Sequence, residues 1–197
     1  MPRVPRLVVL GRPGAGKGTQ CTRLARHYGV PHVSTGEILR TALREGTEVA
    51  ATAREDMDAG TLLADEVVVA IVEERLAAAD ARDGFIIDGF PRTVGQAEAL
   101  VQLTAPRGID LVIDLRVPEE VARSRLAERW TGASGTRRSD DAAVVAERRL
   151  EMHEAQAGPV AAWFARRGQL LVVDGCGQPD EVTAELLRAV DQKLGDG

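Results

Sequence analysis

A chain of 197 residues, 44% apolar and 28% charged, is long enough to bury one sizeable core and too ordinary in composition for a disordered or fibrous protein. A net charge of −5 with only 3% aromatic residues argues against a broad nucleic-acid or anionic-membrane surface, and against base stacking as the main mode of recognition. Cys21 and Cys176 make neither a disulfide framework nor a metal-ligand spacing, and no apolar run reaches secretory or membrane-spanning length, so a cytoplasmic protein is expected.

Leu7-Val8-Val9-Leu10 is a continuous apolar run, the pattern of a parallel strand buried on both faces. Gly11-Arg12-Pro13-Gly14-Ala15-Gly16-Lys17-Gly18-Thr19 follows, and an amphipathic stretch comes after it. The order is strand, glycine loop, helix. Glycines let successive N–H groups turn inward around an anion. The helix start adds partial positive charge, and Lys17 adds a full one. Gly11, Gly16 and Lys17 keep the Walker A spacing, but Gly18 stands where Ser or Thr is usual and Thr19 comes one place later.

Residues 30–34 form a short second strand. Ser34 or Thr35 can cap the helix after it, with Glu37 near the third position as in a capping box. A further helix is expected from Thr47 to about Gly60, and an apolar one after Asp65-Glu66. Residues 84–88 read as a buried strand ended by Gly89-Phe90-Pro91-Arg92-Thr93, with a helix over 95–103. Residues 111–115 are another buried strand. Pro118 with Glu119 and Glu120 opens a helix reaching about Trp130. Residues 131–136 are a loop by composition. A long helical pattern from Asp140 towards Arg167 is expected to bend or break near Gly158-Pro159. Residues 170–174 are the last strand and 180–194 the last helix. Strands alternating with helices predict an α/β fold with a five-stranded parallel sheet flanked by helices. Ligands of such sheets lie outside the carboxyl ends of the strands, where three motifs converge: 11–19, 34–40 and 88–92.

Asp88 ends an apolar strand, where a carboxylate can hold Mg²⁺ directly or through water opposite the glycine loop; capping the next turn is the plainer role. Arg92 sits on a restrained turn, and its fork suits a phosphate. Gln96 offers both a donor and an acceptor to a base edge, although a helical Gln is usually a solvated surface residue. Arg40, near a helix start, can point back at a phosphate or simply be exposed. Arg125 and Arg129 share a helix face, and Arg137, Arg138 and Arg149 lie beyond the loop. Phosphoryl transfer needs such clustered cations and little else. Asp140 and Asp141 cap the returning helix or orient these arginines. His27, His32 and His153 have no metal spacing and read as surface or packing residues.

Taken together, these residues resemble the adenylate kinase family from end to end. The matching stretches are the Gly11–Thr19 loop with Gln20, His32-Val-Ser-Thr-Gly-Glu-Ile-Leu-Arg40, the segment from Met57 to Glu66, Asp88-Gly-Phe-Pro-Arg-Thr93 with Gln96, Arg125 with Arg129, and Arg138 to Asp141 with Arg149. In this family Gly-Lys-Gly-Thr is normal. The resemblance implies one P-loop kinase domain over 1–197, a three-layer α/β sandwich. An AMP-binding helical segment at about 34–63 and a short lid at about 130–139 would close over it. It also implies Mg²⁺-dependent transfer, ATP + AMP ⇌ 2 ADP, by a monomer with no nucleic-acid or membrane partner. Gly14, Ala15, Gly16, Lys17, Gly18, Thr19, Arg129 and Gln178 would hold ATP. Thr35, Arg40, Thr61, Leu62, Leu63, Gly89, Phe90, Pro91, Arg92 and Gln96 would hold AMP, with Arg138 and Arg149 bridging the phosphates. Lys17, Arg92, Arg125, Arg129, Arg138, Asp140, Asp141 and Arg149 would serve catalysis.

The chain departs from the pattern in three places. Only eight residues separate Arg129 from Arg138, so the lid resembles the short form and no zinc is expected there. Thr61 replaces a lysine common in bacterial relatives. Trp130 is bulkier than the pattern after Arg129. The alternatives are a UMP/CMP kinase of the same fold and a nucleotide-binding regulator without catalysis.

Overall fold

The computed structural model describes residues 4–45, 63–131, 150–151 and 157–195. In chain order these form β1 (Arg6–Leu10), α1 (Lys17–Tyr28), β2 (His32–Ser34), α2 (Thr35–Glu45), α3 (Asp65–Ala77), a 3₁₀ turn (Ala79–Ala81), β3 (Phe85–Asp88) and α4 (Val94–Leu103). Next come β4 (Leu111–Arg116), α5 (Glu119–Thr131), a helical stretch over 157–165, β5 (Leu170–Asp174) and α6 (Pro179–Gly195). The helix expected from Thr47 to about Gly60, the loop over 132–136 and the segment from Asp140 to Arg149 lie outside the described residues. Gly158 and Pro159 fall inside the helical stretch described over 157–165.

All pairings are parallel, and the sheet order is β2-β3-β1-β4-β5. β1 is central because its apolar run can be buried on both faces. Leu7 and Val9 face one core with Ile86, Ile113, Leu24, Ala122 and Leu186. Val8 faces the other with Phe85, Ile87, Val112, Val72, Leu100 and Phe164. Alternate residues of each strand therefore supply opposite cores, and helices must cover both faces. The result is the three-layer α/β sandwich that the strand pattern predicts.

The order also sets where a ligand goes. From β1 the chain crosses to β2 and returns through β3 on one side, then builds β4 and β5 on the other. The loops after β3 and β4 thus diverge around the end of β1 and leave a crevice there. Gln20, nearly inaccessible in α1, donates to the Pro179 carbonyl (3.0 Å) and accepts from the Thr183 hydroxyl (2.7 Å). Those bonds tie α6 to the helix that carries the glycine loop.

Candidate functional site

The crevice is a cavity of about 860 Å³ at the carboxyl ends of the strands. The loop after β1 forms one wall. Gly14 has φ +84°, and a Cβ there would stand 2.5 Å from the Ala122 carbonyl oxygen. Only glycine lets the loop lie this close against α5. Gly16 (φ +95°) precedes α1 with no side-chain cap, so the helix's first N–H groups remain for a ligand. Lys17 is the first residue of α1, and its Nζ donates to the Gly11 (2.7 Å) and Arg12 (3.1 Å) carbonyls. Burial pulls the Lys17 ammonium below the usual lysine range; Asp88 opposes that, and Arg92 and Arg129 add to it. Lys17, Asp88, Arg92 and Arg129 therefore share one electrostatic neighbourhood, and all four line the cavity. Ala15 is buried away from the cavity.

The turn after β3 forms the opposite wall. Gly89 has φ +85°, and a Cβ would meet the Thr35 hydroxyl at 2.7 Å and an Arg92 guanidinium nitrogen at 3.4 Å. Its bareness brings Thr35 and Arg92 together. Arg92 Nε donates to the Gly89 carbonyl (2.8 Å), which folds the side chain over its own turn. Thr35 opens α2 instead of preceding it, and its hydroxyl donates to the Asp88 carbonyl (3.4 Å). The Arg40 guanidinium folds back to α2's first turn, where a Cβ on Gly36 would be 3.2 Å from Nη1. Phe90, Pro91 and Leu63 are buried, and each contributes to the cavity wall.

Gln96 is not the solvated surface residue that a helical Gln usually is. It is 1% exposed and held on three sides. Its Oε1 accepts from the Arg92 N–H (2.8 Å), its Nε2 donates to Asp65 Oδ1 (2.7 Å), and its own N–H donates to the capping Thr93 hydroxyl (3.1 Å). Thr93 in turn donates to Asp65 Oδ2 (2.5 Å). Asp65 therefore fixes which end of the Gln96 amide faces the cavity. Sequence reading took Asp65 only as a first-turn acid, because the two contacts span 31 and 28 positions along the chain.

Arg125 lies outside the cavity wall. It donates to the Ala15 and Cys176 carbonyls (both 3.3 Å) and so joins the glycine loop to the segment after β5. Gln178 is exposed and also off the wall, with its N–H donating to Glu181 (2.9 Å). Trp130 is half-buried in the last turn of α5. Thr61, Leu62, Arg138, Asp140, Asp141 and Arg149 lie outside the described residues. Asp114 was missed in sequence, although it interrupts the apolar run of β4; it lines the cavity and pairs with Arg116 (2.8 Å).

Asp88 offers hard carboxylate oxygens on the cavity wall facing the glycine loop, a donor that fits Mg²⁺ held largely by water and phosphate.

A family model described as adenylate kinase matches residues 9–169. An adenylate kinase of Methylobacterium radiotolerans is 44% identical over 191 residues, covering 94% of this chain and 96% of its own. One of Xanthobacter autotrophicus is 47% identical over 186 residues, covering 92% and 95%. One of Rhizobium meliloti is 46% identical over 186 residues, covering 92% and 97%. A family match over most of the chain, and a cavity that gathers the glycine loop, Thr35, Arg40, Asp88, Arg92 and Gln96, lead to one conclusion: the chain belongs to the adenylate kinase family of phosphotransferases.

Proposed function

We propose that the chain transfers the terminal phosphoryl group of ATP to AMP, reversibly giving two ADP, with Mg²⁺. The observation that carries this reading is the placement of an anion-binding glycine loop and an arginine turn on opposite walls of one cavity. Two phosphate sites facing each other suit a donor and an acceptor held in line. Lys17 and the N–H groups at the start of α1 hold the donor phosphates. Arg92 and Arg40 hold the acceptor phosphate, and Thr35 and Gln96 approach its base. Arg129 neutralises charge on the moving group, and Arg125 supports the loop from behind. Mg²⁺, held through Asp88, would neutralise phosphate charge. By resemblance, Thr61 and Leu62 add to the acceptor site, and Arg138, Asp140, Asp141 and Arg149 close over the phosphates. The same resemblance proposes a monomer in the cytoplasm; no described helix is long and apolar enough to cross a membrane.

ADP formation measured with ATP and AMP, CMP, UMP or GMP tests the assignment. AMP should give the highest kcat/KM by a wide margin. Faster turnover of CMP or UMP would replace the acceptor assignment with a pyrimidine one. No transfer to any acceptor, with nucleotide still bound, would favour a regulator.

The Asp65 bonds add a sharper expectation. Asp65→Ala strands the Gln96 amide and the Thr93 hydroxyl, both part-buried. Leaving such groups unpaired costs about 1–3 kcal/mol. The KM for AMP should rise by roughly 10-fold or more, since each 1.4 kcal/mol is tenfold. The KM for ATP should stay within about twofold, because the glycine loop is untouched. An equal rise in both would mean that Asp65 acts through general stability.

A further inference from the structure

Beside Asp88 lie two donor side chains, Cys21 and His32, that have no part in the phosphoryl-transfer reading. Cys21 of α1, His32 of β2 and Asp88 of β3 each turn a donor atom to the same point, and these atoms all lie within 4.8 Å of one another. Cys21 is fully buried, and the His32 and Asp88 side chains are 16% and 14% exposed. Nothing in the spacing of the three along the chain announces them as a set.

The Thr22 hydroxyl donates to the Gly18 carbonyl (2.9 Å) and stands 3.5 Å from His32 Nδ1, so the ring turns its other nitrogen, Nε2, towards Asp88. That Nε2 is buried without a hydrogen-bond partner and stands 3.9 Å from Asp88 Oδ2. An imidazole nitrogen and a carboxylate oxygen thus face each other at the cavity's edge, with a sulfur beside them. A cation placed between them would satisfy all three.

We propose that Cys21, His32 and Asp88 form a three-ligand site for a thiophilic divalent cation of the Zn²⁺ class, with its fourth position open to the cavity. Thiolate, imidazole and carboxylate suit such an ion and not Mg²⁺, which prefers oxygen alone. A thiolate and a carboxylate cancel its two charges. Burial and the nearby Asp88 hold the Cys21 thiol well above its ordinary range, so the entering ion must displace the thiol proton to solvent. Loading the site withdraws Asp88 from the nucleotide's Mg²⁺ and sets a second cation near Lys17. The ion is therefore an inhibitor; this consequence, unlike the binding itself, rests on the function proposed above.

Binding is tested without nucleotide, on the full chain carrying Cys176→Ser to remove the other, exposed thiol. Titration with Co²⁺ should give a thiolate-to-cobalt charge-transfer band that saturates at a single ion per chain and disappears on adding Zn²⁺. Cys21→Ala should abolish the band. His32→Gln should weaken Zn²⁺ binding by more than the roughly 10- to 100-fold that loss of an outer-shell partner brings. Bound Co²⁺ without the band, or Zn²⁺ affinity unchanged in both variants, would overturn the site. In the transfer assay, Zn²⁺ should inhibit the parent reversibly to chelation, and spare Cys21→Ala, whose turnover in the absence of Zn²⁺ should match the parent's and so report its folding. Inhibition of both alike would overturn the inhibitory consequence. Absence of all turnover would count against the kinase reading and leave the cobalt band to decide the site.

Discussion

Arg92→Ala should lower turnover by roughly 10²- to 10³-fold, the loss typical of removing one preorganised donor from a transition state. The side chain is exposed to the cavity, yet it is not loose: Nε is bonded to the Gly89 carbonyl, and the residue's own N–H is bonded to Gln96. Those bonds orient the guanidinium, and its planar fork matches a phosphate through two parallel bonds. Arg92→Lys keeps the charge but loses both the fork and the bond to Gly89, so it should recover only a small part of the lost rate. The KM for AMP should rise in both variants while binding of ATP, held on the other wall, changes little. Steady-state kinetics with each nucleotide varied in turn separates these effects. Intact turnover and AMP affinity in Arg92→Ala would falsify the acceptor assignment.

The strands were legible because their chemistry is local. β1, β3 and β4 are short apolar runs buried on both faces, the edge strands β2 and β5 are less fully covered, and all five lie within a residue or two of their expected places. The glycine loop was equally plain, since its conformation demands residues without a Cβ. What sequence could not show is pairing between distant elements. On spacing alone Gln96 reads as an amide suited to a base edge or as a solvated surface residue; its amide is held by Asp65, which α3 brings from another part of the chain. Arg125 shared a helix face with Arg129, and helical spacing alone could not tell that one grips backbone while the other lines the cavity. His32 reads as packing because a three-residue strand says nothing of its neighbours; the parallel register sets Ile86 opposite it and Asp88 two residues further along β3, on the same face. The family resemblance supplied roles for residues whose local context was silent, Thr35 and Arg40 among them. The distances then show how two bare glycines, Gly36 and Gly89, make room for those side chains.

Lys17→Met should remove at least as much activity, roughly 10²- to 10³-fold or more, with the fold intact. The two outcomes belong together because of how the lysine is held. Its ammonium is carried at a cost, since burial disfavours its charge and Arg92 and Arg129 add repulsion. In its present position the charge is only partly offset by two loop carbonyls and by Asp88. A donor phosphate would bring the counter-charge that the site lacks, so the lysine stores affinity for a polyanion instead of contributing stability. Methionine keeps the length and apolar stem and removes the charge. The far-UV circular dichroism of the variant should match the parent, and its melting temperature should fall by no more than a few degrees, an effect of about 1 kcal/mol or less. ATP should protect the parent against heating more than it protects the variant, because ligand stabilisation scales with affinity. A variant that loses its fold along with its activity would make Lys17 a structural residue, with its bonds to Gly11 and Arg12 as the reason. A folded variant of normal activity would move phosphate binding away from the glycine loop altogether.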